Sequence, residues 1–375
     1  MKNKPLISVI ILCYKNYNLI MDAINSTLNQ DYPNIELIIS NDCSDDFDLE
    51  ELHSMFENYK EKYWNIKNVI INKNNTNIGT TKHVNKMVKQ SSGKFFKLLA
   101  ADDLFYVNNA LSKYVEFLET TKAYFVVAQS AAYDEKLENF LRFYPNHEHM
   151  KILESYSAKE LFRILAKDCI INAPAVCFAK KYVKEFGYFD ERYFYADDWP
   201  AWIRFTRLGN RIEVLNETLV IYRFGGVSNT NKSNETQISS KVWDEYFYIM
   251  ENEGIKYFKE LGVKSWLKCR QLVMNHHLTT QRGWARYKTI FKNLDIYLAS
   301  KLIFLKKNPY AMYILTCSFL SLVTIFGNSK INQFLQDNYC TVFLDIIAFC
   351  GILGFGVMIL LYGLFFIYDF LFKKN

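Results

Sequence analysis

Residues 94–106 read KFFKLLAADDLFY, in which an apolar run long enough for a buried strand stops at two adjacent carboxylates, Asp102 and Asp103. This run predicts a strand of an open α/β sheet, where ligands bind just beyond the carboxyl ends of the strands. A carboxylate pair at that position can hold a hard cation such as Mg²⁺ or Mn²⁺, and the cation can bridge phosphates. The alternative is a polar turn that caps a helix starting near Asn108.

Further apolar runs extend this pattern into a sheet. The predicted strands cover residues 6–14, 35–40, 68–72, 95–100 and 123–130. Segments with helical spacing of apolar residues separate them, and strands that alternate with helices indicate a parallel sheet with right-handed crossovers. No glycine follows the first strand in residues 13–18, so a bound nucleotide would be held largely by side chains and a metal.

Composition excludes several other classes of protein. Of the 375 residues, 50% are hydrophobic and 17% aromatic, which supports a sizeable core and argues against disorder. The net charge of +6 is too small to indicate a nucleic-acid partner. The eight cysteines form no Cys-x-x-Cys pair, so we expect neither a zinc site nor a disulfide framework, and a reducing cytoplasm suits them. We recognise no signal peptide at the start of the sequence.

Four segments carry a resemblance to a known family. Residues 6–46, 77–85, 98–106 and 186–223 resemble the successive motifs of family 2 glycosyltransferases of the GT-A fold, and the first motif, ISVIILCYKN followed by STLNQDYPNIE, is highly specific. The resemblance implies an α/β fold with a Rossmann-like, nucleotide-sugar-binding mixed sheet flanked by helices. It also implies a nucleotide-sugar donor, with a UDP-sugar favoured. The donor-binding positions that it implies are Cys13, Tyr14, Asp42, Asn77, Gly79, Lys82, Ala101, Asp102 and Arg223.

The sequence departs from the family at the metal motif. The family has Asp-x-Asp, whereas residues 100–103 read Ala-Ala-Asp-Asp. The resemblance still implies a divalent cation, Mg²⁺ or Mn²⁺, at Asp102 and Asp103, and it leaves open which carboxylate binds the metal and which contacts ribose. It places Asp42 on the base or ribose of the nucleotide. Arg223 is expected to meet the diphosphate as a fixed cation, and the alternative is a surface ion pair.

A second carboxylate pair, Asp197 and Asp198, precedes Trp199 and Pro200. Proline belongs in the first turn of a helix, so this pair is expected at a helix N-terminus, where the dipole favours an ionised carboxylate. Such a carboxylate can accept the proton of an attacking sugar hydroxyl, and we assign that catalytic role to Asp198, with Asp197 as second choice. The alternative is plain N-capping.

Three aromatic residues close to the second carboxylate pair have two interpretations. Tyr195, Trp199 and Trp202 could stack on the apolar face of a sugar, or they could belong to the core. For Trp202 the core interpretation is favoured.

The C-terminal third is expected to bind a membrane. We predict a catalytic domain over residues 1–230, a helical region over 231–308 and a transmembrane hairpin over 309–375. Helices are expected over residues 241–257 and 264–280. Residues 285–307 mix basic and apolar side chains, as in an amphipathic helix on an anionic lipid surface, and packing against the catalytic domain is the alternative.

Two long apolar segments, 310–326 and 341–368, are expected to cross the bilayer. The lysines that flank their outer ends place both ends, and the catalytic domain, on the cytoplasmic face of the inner membrane. Membrane lipid is therefore an expected partner. A catalytic domain held there can meet a cytoplasmic sugar nucleotide and a lipid-linked acceptor together.

The function expected from these features is single-step, inverting sugar transfer to a lipid-linked or glycan acceptor in cell-surface polysaccharide synthesis. A first alternative is transfer to polyprenyl phosphate, which two C-terminal spans would suit. A second alternative is a membrane-tethered nucleotide-sugar-binding protein without activity, prompted by the alanine at position 100. No nucleic-acid partner is expected.

Overall fold

The computed structural model describes residues 4–225 and 236–297. The chain divides into two compact units, Met1–Ser265 and Trp266–Asn375. The two predicted membrane spans, 310–326 and 341–368, lie outside the described residues. Within the part that is described, no helix is both long enough and apolar enough to cross a bilayer.

The first unit is built on one mixed sheet. Its described strands are β1 (Ile7–Cys13), β2 (Ile35–Asn41), β3 (Ile66–Lys73), β4 (Phe95–Ala100), β5 (Leu104–Phe105), β6 (Phe125–Tyr133), β7 (Phe140–Tyr144), β8 (Val176–Ala179) and β9 (Glu213–Arg223). Their spatial order is β3-β2-β1-β4-β8-β6-β9-β5, and β7 pairs with β6 outside that path. The first four strands of this order are parallel, whereas β8 is antiparallel to both of its neighbours. The parallel prediction therefore holds for one half of a mixed sheet.

The described helices of the two units follow in chain order. They are α1 (Ile20–Leu28), α2 (Leu49–Met55), α3 (Tyr59–Lys62), α4 (Thr80–Gln90), α5 (Ala110–Thr121), α6 (His147–Ser155), α7 (Ala158–Leu165), α8 (Lys181–Phe186), α9 (Trp199–Arg207), α10 (Thr236–Ile249), α11 (Phe258–Leu261), α12 (Val263–Thr280) and α13 (Gly283–Lys292). A π-helical turn, Met250–Ile255, follows α10 where one continuous helix was predicted. The predicted α/β class is confirmed.

The central strands form the core because their apolar runs are buried on both faces. Ile7 of β1 pairs with Ile35 of β2 on one side and with Phe95 of β4 on the other. All seven residues of β2 are buried, which is typical of a parallel strand covered by helices on both faces. The five predicted strands match observed ones, with ends displaced by no more than three residues.

One edge of the sheet collects the ends of strands that run in the same direction. Strands β1, β2, β4, β6 and β9 share one direction. In the sheet β8 lies between β4 and β6 and is antiparallel to both, so β6 runs parallel to β4, and β9 is parallel to β6. Their last residues are Cys13, Asn41, Ala100, Tyr133 and Arg223. The residues that follow these ends therefore lie along a common edge, where α/β proteins bind ligands.

The described part of the second unit consists of α12 beyond Ser265, α13 and the residues up to 297. Arg270 on α12 forms an ion pair with Asp295 at 3.0 Å. The predicted amphipathic helix over 285–307 is not continuous. Helix α13 ends at Lys292, and Asn293 adopts a non-helical conformation before the chain becomes helical again.

Candidate active site

The end of β1 lies beneath the candidate site. Cys13 is buried, and burial raises the pKa of its thiol to about 12, so it is a neutral group at physiological pH. Tyr14 is partly exposed, and Lys15 adopts a left-handed conformation with φ 59°. The Lys15 amide donates to the Ser44 hydroxyl at 2.8 Å, which ties this turn to the loop after β2.

The carboxylate of Asp42, directly after β2, is buried and holds the loop that precedes α4. It accepts hydrogen bonds from Asn74 Nδ2 at 2.8 Å and from the backbone amides of Ile78 and Gly79, each at 3.0 Å. Asp42 therefore shapes the Asn77–Gly79 turn, and its predicted contact with the base or ribose stays a prediction.

Gly79 is the residue in this turn that cannot carry a side chain. Its φ is +86°, and a Cβ added there would lie 2.5 Å from the ring of Phe194. The loop that leads to the second carboxylate pair therefore packs directly on the turn held by Asp42. Of the other predicted donor-binding residues here, Asn77 and Lys82 are exposed, and the Asn77 side chain accepts the Gly79 amide at 3.0 Å.

The first carboxylate pair follows β4 at the same edge. Ala101 is buried, and its amide donates to Leu12 of β1 at 2.9 Å. Asp103 is buried, and its Oδ1 accepts the Arg223 amide at 3.1 Å while its Oδ2 has no hydrogen-bond partner. Burial, and then the charge of Asp102, raise the pKa of Asp103 well above its usual value.

Asp102 is the more accessible member of this pair. Burial raises its pKa, and the Arg223 charge and the nearby Asn16 amide oppose that rise. The helix-cap alternative for the pair is wrong. The short strand β5 comes next, and α5 begins only at Ala110, after Asn109.

Arg223 is buried at the end of β9 and joins three parts of the site. Its Nε donates to the Asp102 carbonyl at 3.0 Å, its Nη1 to the Glu135 carbonyl at 2.6 Å and its Nη2 to the Asp22 carboxylate at 2.5 Å. Each guanidinium nitrogen thus binds a protein oxygen, so this arginine fixes the backbone around the carboxylate pair. Its contact with a diphosphate stays a prediction.

The second carboxylate pair lies at the N-terminus of α9, as predicted. Asp198 is the N-cap residue and Pro200 is in the first turn, yet the Asp198 side chain makes no capping hydrogen bond. N-capping therefore does not account for this carboxylate. Burial raises the pKa of Asp198, and the Trp199 amide opposes that rise. Burial, and then the charge of Asp198, raise the pKa of Asp197 to about 8.

A carboxylate from α10 holds the backbone before this pair. Glu245 accepts the amides of Phe194, Tyr195 and Ala196 at 2.5, 2.8 and 2.8 Å. Nothing in the sequence of α10 indicated this role, because the amides that donate to Glu245 lie about fifty residues earlier in the chain. Asn85 on α4 is a second support, since it bonds to both backbone groups of Phe189.

The surroundings of Asp198 are aromatic. The pKa values of Tyr144, Cys169 and Tyr246 are each raised by burial and also by the Asp198 charge, so these side chains lie around that carboxylate. Trp199 is buried, and its Nε1 donates to the Leu165 carbonyl at 2.7 Å.

The structure separates the three aromatic residues that the sequence singled out. Trp202 is fully buried and stacks on Phe178 with ring centroids 5.6 Å apart, so the core interpretation is confirmed for it. Tyr195 is half-buried and lies near the Tyr14 hydroxyl. Burial is the largest cause of its raised pKa, and the Glu245 charge and the Tyr14 hydroxyl add to it in that order. Tyr195 thus brings the loop before Asp198 next to the end of β1.

These observations define a class of protein. Asp42 and Asp102 follow β2 and β4 at the carboxyl edge of a mixed α/β sheet, and the loop before Asp198 lies beside the end of β1 through Tyr195 and Tyr14. This is the edge at which nucleotide-binding α/β enzymes hold their ligands. Within residues 4–225 and 236–297, no group of three or more His, Cys, Asp or Glu side chains forms a ready-made metal cage.

Comparison with known sequences identifies a family within this class. Residues 8–183, just under half of the chain, match the family model described as glycosyl transferase family 2, and this segment belongs to that family. An uncharacterized glycosyltransferase of Rickettsia prowazekii is 27% identical over 252 residues, which are 66% of this chain and 74% of the relative. The putative teichuronic acid biosynthesis glycosyltransferase TuaG of Bacillus subtilis is 25% identical over 257 residues, 68% of this chain and 92% of the relative.

Two transferases of known structure align with much of the chain. Residues 1–349 of S. aureus TarS align with a TM-score of 0.47 and 18% identity, covering 79% of this chain and 91% of that one. The mannosyltransferase PcManGT from Pyrobaculum calidifontis, solved with GDP-Man and Mn²⁺, aligns with a TM-score of 0.48 and 13% identity, covering 86% and 87%.

Proposed function

We propose that this glycosyltransferase moves a sugar from a nucleoside diphosphate donor to a hydroxyl acceptor with inversion of configuration. The observation that carries the proposal is the Asp198 carboxylate, which lies at the N-terminus of α9 and makes no side-chain capping hydrogen bond there. A carboxylate at a helix N-terminus, where the dipole favours its ionised form, is suited to accept a proton from an incoming hydroxyl.

The reaction proposed is a single displacement. The acceptor oxygen forms a bond to the anomeric carbon while its proton passes to Asp198, and the bond from that carbon to the diphosphate oxygen breaks. The diphosphate leaves with the bonding electrons. Attack and departure on opposite sides of the sugar give inversion. Asp198 acts on one side of the sugar, and Asp102, at the end of β4, marks the diphosphate side.

The residues after β4 suit a divalent cation, Mg²⁺ or Mn²⁺. Asp103 has a buried carboxylate oxygen without a hydrogen-bond partner, and the Asp102 carboxylate beside it is more accessible. A Mg²⁺ ion needs only one or two protein carboxylates when substrate phosphates complete its shell. We assign direct binding to Asp102, the more accessible of the two, and support to Asp103. A bound cation would stabilise the charge on the departing diphosphate.

The acceptor and location are also proposed. TuaG carries a name from teichuronic acid biosynthesis, and a cell-surface polysaccharide or its lipid-linked precursor is the acceptor class we propose. We further propose that the apolar segments 310–326 and 341–368 anchor the enzyme with its catalytic unit on the cytoplasmic face of the membrane. A UDP-sugar is the favoured donor.

One experiment tests transfer. The full chain in detergent is incubated with a panel of nucleotide sugars, a bacterial lipid extract and either Mn²⁺ or EDTA, and nucleoside diphosphate release is measured. We expect cation-dependent release with one donor, loss of that release in Asp198→Asn, and inverted anomeric configuration by NMR. Asp31→Asn, an exposed carboxylate on the surface, is the matched control. Nucleotide binding without turnover for every donor would instead favour the inactive binding protein.

A further inference from the structure

Helix α13 in the second unit carries a row of exposed apolar side chains. Trp284 is 78% exposed, Tyr287 58% and Phe291 71%, and Leu294 just beyond the helix is also exposed. At about 100° per residue, Trp284, Tyr287 and Phe291 lie within roughly 60° of one another on the helix surface. Isolated exposed apolar residues are ordinary, whereas an aligned row of three large aromatic ones marks an interaction surface.

The opposite side of α13 is the side that packs within the second unit. Thr289 is buried, and its hydroxyl donates to the Gln281 side chain at 2.6 Å. Thr289 lies about 170° around the helix from the centre of the aromatic row, by the same helical geometry. The row therefore faces away from the surface that this helix uses for its own packing.

Charge distinguishes between possible partners for this row. The helix and the residue before it carry four basic side chains, Arg282, Arg286, Lys288 and Lys292, and no acidic one. All four are exposed. Basic side chains beside a Trp- and Phe-rich face are typical of helices that lie in the headgroup region of an anionic bilayer. Trp and Tyr are also the residues that favour the membrane–water interface.

We propose that α13 lies in the plane of an anionic lipid surface, with Trp284, Tyr287 and Phe291 inserted among the acyl chain ends and the basic residues facing lipid phosphates. The occupant is a phospholipid bilayer with net negative charge. A second copy of the chain fits less well, because two such helices would bring their basic residues together. This inference concerns the second unit and does not depend on sugar transfer.

The test uses the full chain reconstituted in lipid vesicles. Vesicles of phosphatidylcholine, with or without phosphatidylglycerol, contain a phosphatidylcholine brominated near the headgroup end of its acyl chains, which quenches nearby indoles. We expect Trp284→Phe to lower the quenchable tryptophan fluorescence at least about twofold in the anionic vesicles, because an interfacial indole lies at that depth. Trp64→Phe, which removes another exposed indole, is the matched control and should leave the quenching unchanged.

A charge variant tests the choice of lipid. With Arg286, Lys288 and Lys292 all changed to Gln, we expect Trp284 to be quenched to the same extent in neutral and anionic vesicles, because its attraction to anionic headgroups is lost. Circular dichroism of each variant checks that the helix content is kept. Equal quenching in wild type and Trp284→Phe would overturn the proposal. So would anionic-lipid dependence that survives the charge variant, or self-association that Trp284→Phe abolishes.

Discussion

The side chain of Asn85 and the backbone of Phe189 bond to each other in both directions. Asn85 Nδ2 donates to the Phe189 carbonyl at 2.8 Å, and the Phe189 amide donates to Asn85 Oδ1 at 3.0 Å. The Asn85 side chain thereby pairs with the Phe189 backbone as a neighbouring strand would. This pairing joins α4 to the segment that leads to Asp198. Both residues are buried, so no water substitutes for these bonds.

Replacing Asn85 with Ala is expected to destabilise the first unit. The change removes both hydrogen bonds to Phe189 and a third, from Asn85 Nδ2 to the Glu191 carboxylate at 3.0 Å. It leaves a buried amide and a buried carbonyl unpaired, which should cost about 2–4 kcal/mol of unfolding free energy. Urea unfolding followed by circular dichroism measures this difference. Asn75→Ala, at an exposed position shortly before α4, is the control and should change stability little. Equal effects of the two variants would contradict the bidirectional bond.

Glu245 is expected to act as a positioning residue for catalysis. Its carboxylate accepts three successive amides at Phe194, Tyr195 and Ala196, immediately before the proposed base. Glu245→Gln keeps the size but loses the charge and replaces one of the two acceptor oxygens with an NH2 donor, so the loop should loosen. We expect kcat to fall roughly tenfold to a hundredfold, because small displacements of a reacting group have large effects. Donor KM should change much less.

The matched comparison for Glu245 is Glu260→Gln, an exposed carboxylate on α11. That variant should leave both kcat and KM unchanged. The pH profile adds a second readout. Burial and the Asp198 charge are the larger causes of the raised pKa of Asp197, and the Glu245 charge also raises it. A fall in protein stability with kcat unchanged would assign Glu245 to structure alone.

The pH dependence of activity should identify which carboxylate is the base. Asp197, with a pKa of about 8, is mostly protonated at pH 7 and cannot accept a proton there. Asp198 must be ionised to act, so kcat/KM should rise with pH, with a midpoint above the ordinary Asp value of about 3.9 because burial raises its pKa. The measurement is kcat/KM against pH for wild type, Asp197→Asn and Asp198→Asn.

Asp198→Asn should lower kcat/KM by roughly a hundredfold or more, since general-base catalysis is removed. Asp197→Asn should keep the rising limb of the profile at low pH. The opposite pattern, with activity lost in Asp197→Asn and retained in Asp198→Asn, would make Asp197 the base.

Local patterns account for the parts of the fold that the sequence predicted well. The run at 95–100 matches β4 residue for residue, because burial on both faces demands continuous apolar side chains. Asp198 could be placed at a helix N-terminus because Pro200 restricts the chain there. Each of these signals is contained in fewer than about ten residues, so tertiary packing had little opportunity to override it.

The supports of the site could not be predicted in this way. Arg223 was expected to face a ligand, but its contacts with Asp22 and Glu135 depend on how β9 is placed beside β6 and α1. Glu245 bonds to amides about fifty residues away, and backbone amides carry no sequence signal at all. Such contacts follow from the assembled fold, since a carboxylate on an amphipathic helix reads as a solvated side chain.

His83 should make stability depend on pH. Burial lowers its pKa to about 4, and its Nε2 lies 2.6 Å from the Ser40 hydroxyl on β2. Ser40 also accepts a hydrogen bond from Asn72 at 2.8 Å. A serine hydroxyl can donate one hydrogen bond and accept two, so it can pair with either tautomer of the ring. Burial of this pair favours the uncharged imidazole.

The sign of this dependence follows from the lowered pKa. In the unfolded chain His83 takes up a proton near pH 6.5, whereas in the folded chain it takes up a proton only near pH 4. The stabilisation is therefore complete above pH 6.5 and is lost as the pH falls towards 4, up to about 3 kcal/mol. His83→Gln keeps a polar side chain beside Ser40 but cannot titrate, so its unfolding free energy should decline less between pH 7.5 and pH 4.5. Urea unfolding at both pH values compares it with wild type and with His53→Gln, an exposed control that should follow wild type. Parallel decline in all three proteins would mean that His83 takes up its proton as readily in the folded protein as in the unfolded one, and would contradict the lowered pKa.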